Sequence, residues 1–188
     1  MGKLLSVACL AATLLVGLFA MPGSALAEEV TCTGTLGPTT VDTLRVPSGR
    51  TCTLNGTRVQ GTIKVEANAT LRANGVRVVG NIQAENAANV VVGGNSRIGG
   101  SVQIKQGGAA SISGSRIGGD IQFDEQRGTL SANRNIIGGS LQAVKNSGGL
   151  SITNNRIDGN LQCKENQPAP TGGNNVVQGN KEDQCSGL

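Results

Sequence analysis

Apolar residues occupy alternate positions on either side of a glycine that returns about every twenty residues. Two positions before this glycine stand Val59, Val78, Ile98, Ile117, Ile137, Ile157 and Val177. Two positions after it stand Ile63, Ile82, Val102, Ile121, Leu141 and Leu161. Alternation of β-branched residues predicts strands with one buried face. A second short strand is predicted nine residues before each glycine, opening with Cys52, Leu71, Val91, Ala110, Leu130 and Leu150.

The spacing of the glycines defines the architecture. They are Gly61, Gly80, Gly100, Gly119, Gly139, Gly159 and Gly179, at steps of 19 or 20 residues. A fixed period of short strands, with Gly- and Asn-rich turns between them, is typical of a solenoid. We therefore predict an all-β, single-stranded parallel β-solenoid, or β-helix, with about 20 residues per coil and six to seven coils. An antiparallel sandwich is the weaker alternative, because it predicts antiparallel hairpins and does not predict that the same residues recur about every 20 positions.

The first 27 residues have the pattern of a cleavable signal peptide. Lys3 precedes the uncharged apolar run 4–21, and Ala25-Leu26-Ala27 supplies a small-residue cleavage site. We predict a signal peptide over residues 1–27 and one β-helix domain over residues 28–188, in a secreted or periplasmic protein without stable membrane insertion after cleavage. An uncleaved anchor is the alternative.

Four cysteines remain after residue 27. Cys32 and Cys52 are 20 residues apart, and Cys163 and Cys185 are 22 apart, which is about one coil in each case. Residues stacked on neighbouring coils lie at a Cα separation that a disulfide accepts. We therefore predict the pairs Cys32–Cys52 and Cys163–Cys185, each joining a terminal coil to its neighbour.

Composition limits the chemistry of residues 28–188. They contain no His, Trp, Tyr or Met, and Phe123 is their one aromatic residue. Catalysis through His, His-ligated metals and aromatic stacking on sugars or bases are thereby excluded or disfavoured. Removing Lys3 with the signal peptide leaves 15 basic and 12 acidic residues, a net charge of +3, which makes nucleic acid a poor partner. No cofactor or metal is expected.

The repeated string Arg-Ile-Gly-Gly-x-Ile-Gln carries a family resemblance. It stands at 116–122, with close variants at 97–103, where Val102 replaces the second Ile, and at 156–162. The coils from Cys32 to Cys185 resemble the right-handed parallel β-helix superfamily (pectate-lyase-like), and within it small secreted bacterial β-helix proteins of uncharacterised function. The resemblance implies right-handed coils and leaves the activity open.

Many parallel β-helices act on polysaccharides, so a lyase or hydrolase is one alternative. Asp120, Asp124 and Glu125 form the one dense acidic group, and Arg116 lies nearby in sequence. Lyases of the superfamily combine Ca²⁺ with an Arg base. No acidic column recurs to complete a Ca²⁺ cage, and coils this regular lack long loops to build a cleft. We therefore expect no catalytic activity.

Two polar columns are predicted to face solvent. The first contains Arg58, Arg77, Arg97, Arg116 and Arg156, three residues before the glycine. Because arginine offers a fork of donors to carboxylate, sulfate or phosphate, this column is a candidate binding site for an anionic polysaccharide. The alternative is a solvated face whose arginines pair with Asp120 or Asp158. The second column, of glutamines three residues after the glycine, predicts a structural amide ladder. A structural or self-assembling envelope protein is a further alternative.

Overall fold

The computed structural model describes residues 28–188, together with the isolated residue Gly2. Three parallel sheets stack as a β-solenoid of about seven coils with roughly 20 residues per turn, which confirms the predicted fold class. The predicted signal peptide lies, apart from Gly2, outside the described residues. No helix of the described part of the chain is long and apolar enough to cross a membrane.

Each coil contributes one strand to each sheet, and the sheets are numbered here in the order in which the chain enters them. The first sheet contains Glu29–Thr31, Thr43–Val46, Ile63–Val65, Ile82–Glu85, Val102–Lys105, Ile121–Asp124, Leu141–Val144, Leu161–Lys164 and Lys181–Asp183. The second contains Thr35–Leu36, Thr51–Asn55, Thr70–Asn74, Asn89–Gly93, Ala109–Ser113, Leu130–Asn133, Leu150–Thr153 and Thr171–Gly173. The third contains Thr40–Val41, Arg58–Val59, Arg77–Val78, Arg97–Ile98, Arg116–Ile117, Ile136–Ile137, Arg156–Ile157 and Val176–Val177.

Identical positions of successive coils stack in register, and their inward columns form the core. Ile82 pairs with Val102, and Val102 with Ile121. Phe123, fully buried, stacks between Ile104 and Ala143, so a small residue stands next to the largest one. Each fully buried side chain of this size contributes about 1.5–3 kcal/mol. One coil alone would leave this apolar face in water, so the stack is the folding unit.

The glycine-centred segment is a corner and not one continuous strand. In the repeat at 97–105, Arg97–Ile98 belongs to the third sheet and Val102–Lys105 to the first, with the glycine pair between them. The coils approach closely here, since a Cβ added to Gly118 would collide with the carbonyl oxygen of Gly99 below it. Glycine is therefore required by backbone contact between coils.

One predicted strand is out of register by one residue. Val90, not Val91, is buried and pairs with Leu71 and Ala110, while Val91 faces outward. The additional residue of this 20-residue coil lies in the turn after the strand Asn89–Gly93, whereas the prediction placed it before the strand.

Buried polar ladders hold the two other corners. Asn155 accepts the backbone N–H of Asn135 through Oδ1 at 3.0 Å and donates through Nδ2 to the carbonyl of Ala132 at 2.8 Å. Gln126, Asn146 and Asn166 make the equivalent bonds at the corner between the first and second sheets. Within residues 28–188, every buried side-chain nitrogen and oxygen has a partner. The buried side chains of these polar corners thus have their hydrogen bonds satisfied within the protein.

Both ends carry a buried disulfide, as predicted. The Cα atoms are 5.5 Å apart in Cys32–Cys52 and 5.2 Å apart in Cys163–Cys185. The last strand differs from the rest of its sheet, because Lys181 continues the inward column of Leu161, and Asp183 that of Cys163. Charges at inward positions of an edge strand disfavour the addition of a further strand.

Candidate binding face on the third sheet

The predicted arginine column exists as one contiguous block and one separate residue. Arg58 pairs in register with Arg77, Arg77 with Arg97, and Arg97 with Arg116. Ile136 follows in the same column, and Arg156 comes after it. We call Arg58, Arg77, Arg97 and Arg116 the arginine block. Neighbouring strands are about 4.8 Å apart, so the block extends about 14 Å along the solenoid axis.

Strand geometry determines which way the side chains of the arginine block point. Successive side chains of a strand point to opposite faces. The residue after each block arginine is buried, namely Val59, Val78, Ile98 and Ile117. The arginines therefore point outward: Arg77, Arg97 and Arg116 are exposed, and Arg58 is half-buried.

A strip without side chains lies beside Arg97 and Arg116, the C-terminal half of the arginine block. Two residues after Arg97 stands Gly99, and two residues after Arg116 stands Gly118. These glycines occupy outward positions and are exposed. The surface next to the two arginines is consequently flat backbone, on which an extended ligand could lie close to the guanidinium groups.

The separate arginine is neutralised, whereas the block is not. Arg156 Nε lies 3.6 Å from Asp158 Oδ1, an ion pair that the sequence suggested. Among residues 28–188, no carboxylate lies within 4.0 Å of a guanidinium nitrogen of the arginine block. The predicted pair with Asp120 is therefore not formed. The block retains free donors, and Arg156 is the weakest member of the predicted site.

Charge is segregated between the sheets. Within the described strands, the second and third sheets carry no acidic residue. The acidic residues of the strands all lie in the first sheet: Glu29, Glu85, Asp124, Glu182 and Asp183. The third sheet is therefore a basic face on a protein whose net charge is small, and such a face attracts anions locally.

The block has an electrostatic cost in the absence of a ligand. Two unit charges about 4.8 Å apart repel by about 0.9 kcal/mol in water, and by more where solvent is partly excluded. The three contacts Arg58–Arg77, Arg77–Arg97 and Arg97–Arg116 all carry this repulsion. An anionic ligand would replace it with attraction, and arginine can present two donors to each carboxylate or sulfate.

The glutamine column on the first sheet forms the amide ladder that the sequence predicts. Nε2 of Gln83 donates to Oε1 of Gln103 at 3.2 Å, and the same bond continues to Gln122, Gln142 and Gln162 at 3.2, 3.5 and 3.2 Å. The ladder ends where Gln162 donates to Glu182 at 2.6 Å. These amides satisfy one another and need no ligand.

A charged network near the N-terminal end was not foreseen from the sequence. Arg45 lies 2.8 Å from Glu29 and 3.2 Å from Glu66. The backbone N–H of Ser48 donates to Glu66 at 2.9 Å, and this bond, followed by those from Arg45 and the Ser48 hydroxyl, lowers the pKa of Glu66. Glu66 and then Glu29 raise the pKa of Arg45. Arg45 and Glu66 are 21 residues apart, about one coil, and this spacing is the feature of the sequence that could have predicted their contact.

The residues of the enzymatic alternative lie on three different parts of the coil. Arg116 is on the third sheet, Asp120 at the glycine corner and Asp124 on the first sheet. Asp120 Oδ1 accepts the backbone N–H of Ser140 at 2.8 Å, within a corner ladder that continues through Ser101 and Asn160.

A second carboxylate of that group, that of Glu125, is also engaged. Glu125 accepts a hydrogen bond from Gln106 at 3.0 Å. Across residues 28–188, no group of three acidic, Cys or His side chains is arranged to hold a metal ion.

A shallow depression lies away from the arginine block. It has a volume of about 520 Å³ and opens on the first sheet between Lys64, Glu66, Gln83, Glu85 and Lys105. Its lining mixes both signs of charge. This depression is therefore separate from the candidate anion-binding face.

No family model, curated protein or solved structure matches this chain.

Proposed function

We propose that this chain is an exported, non-catalytic β-solenoid that binds an anionic extracellular or cell-surface polysaccharide through the arginine block. The observation that carries the proposal is the stacking of four outward arginines that have no carboxylate within 4.0 Å among residues 28–188. Two of them, Arg97 and Arg116, also lie beside the glycine strip. The signal-peptide pattern of residues 1–27 and the two disulfides support export, because disulfides persist in oxidising compartments. Membership of the pectate-lyase-like superfamily is part of the same proposal.

A polymer suits the block better than a small anion. The arginines are aligned with the solenoid axis, so a linear chain along that axis can meet them in turn. Each exposed ion pair contributes only about 0.2–1 kcal/mol. Linked anionic groups raise the effective concentration for each further contact, so several weak pairs together give useful affinity.

Two observations favour binding over the alternative functions. Asp120 and Glu125 already accept hydrogen bonds from neighbouring coils, which suits a structural role better than general acid or base chemistry. Growth of a filament from the C-terminal end would bury Lys181 and Asp183 at inward positions, which disfavours end-to-end assembly there.

A charge-matched pair of triple variants tests the proposal. Arg77→Gln/Arg97→Gln/Arg116→Gln removes three charges from the block, and Arg50→Gln/Arg72→Gln/Arg127→Gln removes three exposed charges elsewhere. We expect the wild type and the second variant to be retained on immobilised acidic glycans and released by about 0.2–0.5 M salt, where screening is strong. The block variant should not be retained. Equal retention of both variants would overturn the proposal.

A further inference from the structure

The arginine column is interrupted at one position, and the interruption gives the binding face a defined length. Ile136 stands in register between Arg116 and Arg156 and is exposed over 37% of its surface. On the other side of the block, Thr40 pairs with Arg58. The column therefore offers four consecutive cationic positions, bounded by an uncharged residue at each end.

Resting on the proposed function, we infer that the arginine block recognises four consecutive anionic groups on a glycan that carries one such group on every sugar, and that Ile136 ends the site. Successive arginines are spaced by one coil, about 4.8 Å. A pyranose advances an extended chain by a similar interval. A polymer charged on every sugar therefore presents charges in step with the block, and a polymer charged on every second sugar meets only alternate arginines.

The position of Asp158 agrees with this boundary. Its carboxylate pairs with Arg156, so the arginine of the column that lies beyond Ile136 is neutralised. Within the block no such carboxylate competes with the ligand, in the part of the chain that the structure describes. The four positions from Arg58 to Arg116 thus form one continuous cationic site.

Oligouronates of two to six sugars measure the length of the site. With the wild-type protein, the association constant should rise about 1.4- to 5-fold with each sugar up to four, the range of one exposed ion pair per step. It should then rise no further. An alternating glycan with a carboxylate on every second sugar should bind more weakly than an oligouronate of equal length. A sulfated homopolymer in a parallel arm distinguishes carboxylate from sulfate as the anion.

Ile136→Arg should lengthen the site, because it joins the block to Arg156. The association constant of this variant should continue to rise to at least five sugars. Ile136→Ser is the matched control and should keep the plateau at four. Arg97→Gln divides the block and should remove most of the gain between two and four sugars. Thermal unfolding of each variant verifies that the solenoid is intact.

The outcomes separate the two proposals. If no acidic glycan binds the wild type, the proposed function and this inference both fail. If glycans bind but the wild type shows no plateau at four sugars, or Ile136→Arg and Ile136→Ser show the same plateau, only the inference fails.

Discussion

The first and third sheets both carry an outward column of one repeated residue type, but only the column on the first sheet satisfies its own hydrogen bonds. Each has an outward column in which one residue type repeats from coil to coil. On the first sheet the glutamines bond to one another at 3.2–3.5 Å along the ladder. On the third sheet the arginines stack in the same register, but a guanidinium has donors only and cannot accept from its neighbour.

The difference shows how a structural column can be told from a candidate binding column in a solenoid. Amide columns contain both donor and acceptor, so stacking satisfies them internally. A column of one charge is left with repulsion and unused donors, which an external anion can satisfy. Repetition alone therefore does not indicate function. The chemistry of the repeated group determines whether a column is structural or a candidate binding site.

The largest loss of stability is expected in the buried amide ladder, where the same kind of column lies inside the protein. Asn155→Ala removes the acceptor for the N–H of Asn135 and the donor to Ala132. Each buried group left without a partner costs about 1–3 kcal/mol, so we expect a loss of about 2–4 kcal/mol. Urea unfolding measures it. Ser151→Ala, at a half-buried outward position of the neighbouring strand, should stay within about 0.5 kcal/mol. A loss below about 1 kcal/mol for Asn155→Ala would show that the ladder is dispensable.

A smaller loss of stability is expected on the first sheet. Gln122→Ser breaks the bonds to Gln103 and Gln142. Because water can replace these partly buried bonds, the free energy of unfolding should fall by about 0.5–1 kcal/mol. Retention on acidic glycans should remain at the wild-type level. A clear loss of retention would mean that the glutamine column takes part in binding.

A change of opposite sign is expected on the third sheet. Arg97→Gln removes the repulsion with Arg77 and Arg116, so the protein should become more stable by a few tenths to about 1 kcal/mol in dilute buffer. The gain should diminish in high salt, because exposed charges are screened. Thermal unfolding at two salt concentrations measures both effects. Destabilisation in dilute buffer would show that the arginine column supports the fold.

The smallest effect is expected on stability at low pH, through the ionic network of Arg45, Glu29 and Glu66. The pKa of Glu66 is lowered in the folded state, chiefly by the N–H of Ser48 and then by Arg45. Its contribution is therefore present above the unfolded carboxyl pKa, about 4.3, and is lost as pH falls through the folded pKa. Glu66→Gln should flatten the fall in melting temperature below about pH 4.5. Glu85→Gln, at a carboxylate without an ion pair within 4.0 Å, is the control. Equal slopes for the two variants would exclude this role of Glu66.

The stacking of the coils could be predicted because like residues lie over like. The steps of 19 or 20 residues place Ile98 over Val78 and Arg97 over Arg77, and they also select the cysteine pairs. The division into three sheets could not be predicted. Alternation of buried and exposed positions continues through the glycine corner, so the pattern is the same for a continuous strand and for two strands that meet at an angle.

The burial of polar corner residues and the contacts between unlike residues were not predicted from the sequence. Asn146 and Asn155 have the composition of exposed turns, yet both are buried, because the ladder between coils satisfies their amides. The Arg45–Glu66 pair joins two different residues about one coil apart, and a search for repeated identity does not find it. Of the candidate site, the arginine column and its interruption at Ile136 were predictable, whereas the engagement of Asp120 by the backbone N–H of Ser140, instead of by an arginine, was not.

The most direct measurement is the salt dependence of binding to an oligouronate. Each guanidinium that contacts a carboxylate adds to the negative slope of the logarithm of the association constant against the logarithm of salt concentration. We predict that each Arg→Gln substitution within the arginine block lowers the magnitude of that slope by a similar step, while Arg50→Gln, Arg72→Gln and Arg127→Gln leave it unchanged. Slopes that fall equally for block and control arginines would contradict the assignment of the binding face to the third sheet.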